Sequence, residues 1–255
     1  MELVLTQLPA LLTGIWWPFC RVLGMLSASP ILGDNMVPIT VRVLLALVLA
    51  VVLMPIAQPA VTIEPLSAHA IVVTLEQVLL GFAIGLAFHL TLAVMAILGF
   101  TVSSQAGLAM AALNDPMSGV SSDVISALLY VLYMLVFFAI DGHLVLVSVV
   151  GSSFRAWPVG GGIDLASFQN IALHLAWVLA AALLLALPVI FSALVVQLGF
   201  GFLNRVAPSL NLFALGFSIV TIFGLFMLGH VVRSIPEHYV RMTNQVLELL
   251  RLGMR

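Results

Sequence analysis

The chain has 255 residues, 63% of them hydrophobic and 7% charged, with a net charge of −2, eight arginines and no lysine. Soluble domains are about 45–50% apolar and about 25% charged, so a membrane or a large assembly must cover the excess. A basic nucleic-acid face is excluded, and the single Cys20 excludes an internal disulfide or a cysteine-based metal site.

The first apolar segment spans Leu8 to Leu32. Trp16 and Trp17 suit an interfacial position, and Pro18 should kink the helix or end its first part. Arg21 is expensive in lipid and should face protein or water. It also interrupts the apolar run, and no basic stretch precedes it, so a cleaved signal peptide is not expected. The second segment, Val37 to Ala57, starts at Pro38 and stops at Pro55, with Arg42 read as a snorkelling cation near a helix end.

A proline-bearing loop, Gln58 to Ala68, leads into an apolar run ending at Phe100. That run exceeds the ~20 residues needed to span a bilayer. Glu76 within it should point at a partner helix. Gly81 and Gly85 form a small-xxx-small pair that permits close helix approach. His89 reads as an interior histidine rather than a metal ligand.

Next comes Ser103 to Asp123, SSQAGLAMAALNDPMSGVSSD. Gly107, Asn114, Pro116 and Gly119 mark turns rather than a continuous helix. The stretch is either a loop in water or a non-helical insert held inside protein, where irregular backbone is tolerated only if buried or lining an aqueous cavity.

Val124 to Val150 forms a fourth segment containing Asp141, Gly142 and His143. Asp141 either caps a helix at a break made by Gly142 or serves a proton relay. Gly151 to Ser167 reads as a loop. Its glycine run, Gly160 to Gly162, follows no strand and lacks a Walker lysine, so it is no phosphate cradle. The fifth segment, Asn170 to Phe200, is broken by Pro188. A connection from Gly201 to Pro208 holds Asn204 and Arg205. The sixth runs from Asn211 to Val232. An amphipathic tail follows, with Val240, Val246, Leu247 and Leu250 as an apolar stripe facing a surface or partner. With six spans, the positive-inside rule would place both termini in the cytoplasm and 103–123 outside. Charges and prolines at mid-length argue against simple lipid-facing spans.

No G-x-S-x-G elbow or H-E-x-x-H pair is present, so enzymatic activity is not expected. A small-molecule secondary transporter fits the glycine- and proline-interrupted segments, although the two halves show no inverted symmetry.

Several strings resemble the FliR/SctT family, the export-gate proteins of flagellar and virulence type III secretion. The strongest is LNRVAPSLNLFALGF, Leu203 to Phe217. The others are WWPFCRVLGMLSASPILGDNMVPITVRVLLAL from Trp16, QAGLAMAALNDP from Gln105 to Pro116, and the Asp141–Gly142–His143 region. Together they cover nearly the whole chain in the family's order. Ser218 departs from the pattern, since many relatives are expected to carry proline there, and this puts a bend after Phe217 in doubt.

The resemblance implies an all-α, polytopic chain of long broken helical hairpins. One copy would complete a cone-shaped helical assembly with FliP and FliQ subunits, standing largely above the lipid plane. Residues 1–169 would pack like FliP and residues 170–255 like FliQ. The assembly would form and close the channel for unfolded flagellar proteins in the bacterial inner membrane, at the flagellar basal body. FlhB and the exported proteins would be partners, and no cofactor, metal or catalytic residue is implied. Residues 103–119 would be the channel plug, including Ser104, Gln105, Gly107, Met110, Asn114, Asp115, Pro116 and Met117. Subunit interfaces would take Arg21, Glu76, Gly81 and Gly85, together with Asn204, Arg205, Pro208, Asn211 and Phe213. The alternatives are a secondary transporter and the virulence branch of the same family.

Overall fold

A computed structural model describes residues 2–34, 37–57, 59, 63–64, 67–105, 124–162, 165–206 and 212–253. Every regular element among them is an α-helix, apart from an isolated parallel bridge between Pro59 and Val159. The helices are α1 (Glu2–Ala28), α2 (Ile39–Leu53), α3 (Ala68–Gln105), α4 (Val124–Ala139), α5 (Gly142–Ala156), α6 (Leu165–Val206) and α7 (Leu212–Gly253). The expected all-α, polytopic class is what the chain adopts.

The helix ends have local causes. Pro38 precedes the first turn of α2, where a missing N–H costs nothing, and the helix ends at Leu53, two residues before Pro55, which has no N–H to continue the helical bonding. Asp141 adopts a left-handed conformation, φ 55°, ψ 34°, which Asp tolerates better than most side chains. There the fourth predicted segment breaks into α4 and α5, bent by 64°.

Other expected breaks do not occur. α1 continues through Pro18 and α6 through Pro188, while α7 runs on through Ser218, where the sequence already puts the bend in doubt, and through Pro236. The predicted connection 201–208 is helical as far as Val206, and the predicted tail is the second half of α7. The first residues of the predicted loop 151–167 belong to α5, which ends at Ala156. Neighbouring helices can satisfy the backbone groups that a proline frees, so long apolar helices tolerate it.

The helices divide between two compact units. The first comprises Met1–Leu90, Phe137–His174 and Thr243–Arg255; the second comprises Thr91–Val136 and Leu175–Met242. In the first, Met25, Leu26, Ile84, Phe88, Leu146 and Val150 are buried. In the second, the buried Tyr133 and Tyr239 rings meet edge to face, centroids 5.0 Å apart, and the Tyr133 hydroxyl lies 3.1 Å from Thr91 Oγ1.

Among the described residues, three helical stretches are long and apolar enough to cross a membrane: Ala68–Gln105, Trp177–Leu203 and Ser218–Glu248. The bent α4–α5 pair makes a fourth if it counts as one span. Of the six expected spans, these account for three or four among the described residues. α2, with 15 residues, falls short of the ~20 a crossing needs.

Candidate functional site

Arg21 is the most demanding side chain in the first unit, being charged and 0% exposed. Its Nε donates to Gln77 Oε1 at 2.8 Å, and its two terminal nitrogens donate to Ser153 Oγ at 3.0 Å and the Trp157 carbonyl at 2.8 Å. Ser153 Oγ in turn donates to the Val150 carbonyl, which orients the hydroxyl to accept from Arg21. The guanidinium carbon also stands 4.0 Å from the centre of the Phe154 ring.

The acceptors on Arg21 are thus neutral, supported by one aromatic face. Removing a guanidinium from water costs several kcal/mol even after relaxation, and each hydrogen bond to a charged group returns about 1.5–3 kcal/mol. The large opposing terms make the cluster demanding of geometry: α1, α3 and α5 must keep one register for all the contacts to form. The cluster contains no nucleophile and no acid–base pair. Its chemistry is positional.

Close packing of α1 on α3 surrounds it. A Cβ on Gly81 would fall 1.9 Å from the Arg21 carbonyl oxygen, and one on Gly85 2.3 Å from that of Met25. Only glycine permits this approach. Trp16 Nε1 donates to Thr74 Oγ1 at 3.1 Å along the same seam. Arg21, Gly81 and Gly85 therefore meet one another within the chain, because burial of the cation and the absence of Cβ atoms both serve the α1–α3 seam. Gln77, Ser153, Trp157 and Phe154 were not singled out by the sequence. Ser153 and Trp157 stand 132 and 136 residues from Arg21, so no spacing rule could find them.

Other sequence-level readings shift. Arg42 does not snorkel to water: its guanidinium binds the Leu32 and Asp34 carbonyls at 2.9 and 3.0 Å, bracing the turn after α1. Trp17 is buried, while Trp16 keeps the exposed position expected of both. His89 is exposed on α3, not interior. Asp141 is exposed and makes no side-chain cap bond, so it occupies the break without supplying a buried carboxylate. In the tail, Val246 and Leu250 are buried against the chain itself and Val240 is exposed, so the stripe is not wholly free for a partner.

Of the plug residues, Ser104 and Gln105 end α3, with Ser104 exposed and its hydroxyl donating to the Phe100 carbonyl at 2.8 Å. Gly107, Met110, Asn114, Asp115, Pro116 and Met117 lie outside the described residues. So do Pro208 and Asn211, while Asn204 belongs to α6 and Phe213 to α7. Glu76 is half-buried on α3, and Arg205 is exposed in the last turn of α6. Among the described residues, no three His, Cys, Asp or Glu side chains are grouped to hold a metal.

The long helices keep large apolar side chains outward. Phe191, Leu198 and Phe202 on α6 and Ile222 and Phe226 on α7 are each at least half exposed. At 1.5 Å per residue, the 38-residue α3 is ~57 Å long and the 42-residue α6 and α7 are ~63 Å each, against a hydrocarbon core of ~30 Å.

Comparison with known proteins matches residues 12–246 to the family model for bacterial export proteins, family 1. The flagellar biosynthetic protein FliR of Pectobacterium carotovorum subsp. carotovorum is 30% identical over 236 residues, covering 92% of this chain and 90% of that protein. FliR of Escherichia coli (strain K12) is 29% identical over 236 residues, with the same coverage. FliR of Bacillus subtilis (strain 168) is 26% identical over 216 residues, 82% of each chain.

Proposed function

The chain belongs to the bacterial export proteins, family 1, and from that premise we propose that it is the FliR-type subunit of the gate through which flagellar proteins leave the cell. It is a membrane component of the flagellar export apparatus, with a structural and channel role. The match over residues 12–246 carries this reading. The helices support it physically. α3, α6 and α7 are far longer than a hydrocarbon core is thick, and the outward Phe and Leu side chains on α6 and α7 need cover that lipid alone supplies over only part of their length.

The finer parts of the proposal are these. The chain works in the bacterial inner membrane at the flagellar basal body, without catalysis. It assembles with FliP and FliQ subunits and FlhB, and the exported proteins pass through the channel it helps to form. Its C-terminal part, from about residue 170, packs like FliQ, which agrees with α6 and α7 being two consecutive 42-residue helices. Exposed Arg205, half-buried Glu76, Asn204, Pro208, Asn211 and Phe213 serve contacts with neighbouring subunits. Residues 103–119 close the channel.

The test is co-expression with the neighbouring subunits, purification in mild detergent and native mass spectrometry of what is recovered. The expected result is a complex containing one copy of this chain and several copies of its partners. A stable monomer that moves a small solute across liposomes, and recovers no partner, would instead make it a secondary transporter.

A further inference from the structure

Within the first unit, α5 and the end of α7 enclose a groove of about 440 Å³. Leu144, Val145 and Val149 line one side, and Leu247 and Leu250 the other. Polar groups stand at defined places on these walls: Ser148 and Ser152 on α5, and Arg251 on α7. Arg251 is exposed and has no ion pair or hydrogen bond among the described residues. The Ser148 hydroxyl is also without a partner there, whereas Ser152 Oγ is already donated to the Ser148 and Val149 carbonyls.

We infer that this groove holds one anionic phospholipid, its acyl chain against the leucines and valines and its phosphate on Arg251. Three features select this occupant. The lining is apolar, so it favours hydrocarbon by the ordinary burial term. A helix about 10 Å across would fill the same volume in roughly one 5.4 Å turn, so the groove suits a thin chain better than a partner helix. The free guanidinium offers a fork of N–H donors that matches phosphate geometry, with the Ser148 hydroxyl available to an ester oxygen. Glu248, one turn before Arg251, is exposed and is not part of the lining. The inference rests on the chain being in a membrane, not on the gate reading.

The experiment is native mass spectrometry of the purified full chain, titrated in mild detergent with phosphatidylglycerol or with phosphatidylcholine. Wild type should retain one phosphatidylglycerol in preference to phosphatidylcholine. Arg251→Glu, at an exposed position that leaves the fold intact, should weaken retention by about fivefold or more, and Arg251→Lys should keep most of it. Leu247→Trp, which fills the groove, should abolish retention of both lipids. Equal retention of the two lipids, or indifference to Arg251→Glu, would overturn the assignment. So would a Leu247→Trp chain that keeps its lipid but loses a co-purified protein, since the groove would then belong to a partner.

Discussion

Arg21 and Gln77, 56 residues apart, are joined by a 2.8 Å hydrogen bond with both side chains almost wholly buried. The bond fixes the turn of α1 that faces the turn of α3. Gln77→Leu removes the acceptor and leaves the guanidinium Nε unsatisfied, at a cost of about 1–3 kcal/mol. Arg21→Met removes the ion but strands the remaining acceptors. The double variant should be less destabilised than the sum of the two singles, with a coupling of about 0.5–3 kcal/mol. Thermal unfolding of the four purified chains in one detergent measures this. Strict additivity would mean that the two residues merely lie near each other.

Gly81 gives a steric test of the same seam. Its absent Cβ leaves room for the Arg21 carbonyl, whereas an added Cβ on Gly199 of α6 meets nothing within 4 Å. Gly81→Ala should force α1 and α3 apart and destabilise by about 1–3 kcal/mol, as overpacking does. Gly199→Ala should be neutral or stabilise by up to about 1 kcal/mol through helix propensity. Opposite signs in the two melting shifts are the expected outcome. If both variants melt like wild type, the α1–α3 approach is looser than the geometry says.

The seam was partly legible in advance, because Gly81 and Gly85 stand four apart in an apolar run and Arg21 could not face lipid. What answered Arg21 was not legible. Ser153 and the Trp157 carbonyl reach it only after the chain has turned back through α5, and a carbonyl acceptor leaves no trace in residue identity. The helices were legible from hydropathy, and Pro38 and Pro55 marked the ends of α2, but most other helix ends were not legible. Pro188 reads as a break, yet sits inside a 42-residue helix, since the local rule against proline yields where neighbours supply the missing partners. Asp141 was the converse case: the break was expected from the Asp–Gly pair, but the burial that a proton relay needs is lacking.

Asp141 therefore carries a prediction about backbone rather than charge. Its left-handed conformation costs a typical side chain roughly 1–2 kcal/mol, and Asn visits it as readily as Asp does. Asp141→Asn should leave export unchanged, measured as secreted hook and filament protein and as swimming on soft agar. Asp141→Val should impair folding, because a branched side chain resists the 64° bend between α4 and α5. Loss of export in Asp141→Asn, with normal amounts of chain in the membrane, would restore the proton-relay reading.

The remaining prediction concerns residues 103–119, proposed as a plug that folds into the channel. α3 delivers the chain to this stretch at Gln105, with Ser103 fully buried one turn from the helix end. From there the sequence is rich in small and turn-forming residues, so it can fill a narrow lumen without regular structure. Asp115 is its one charged residue, which limits the desolvation cost of a constricted site. Met110 and Met117 can seal an irregular gap and yield to a passing chain. A gate must open, so the closed state should lie only a few kcal/mol below the open one. Deleting 107–119 should leave the assembled complex intact and make cells permeable to small solutes or ions. Permeability is the measurement that decides, with complex recovery as its control. A deletion complex that assembles normally and stays as tight as wild type would mean that another element closes the channel and that this stretch is an external loop.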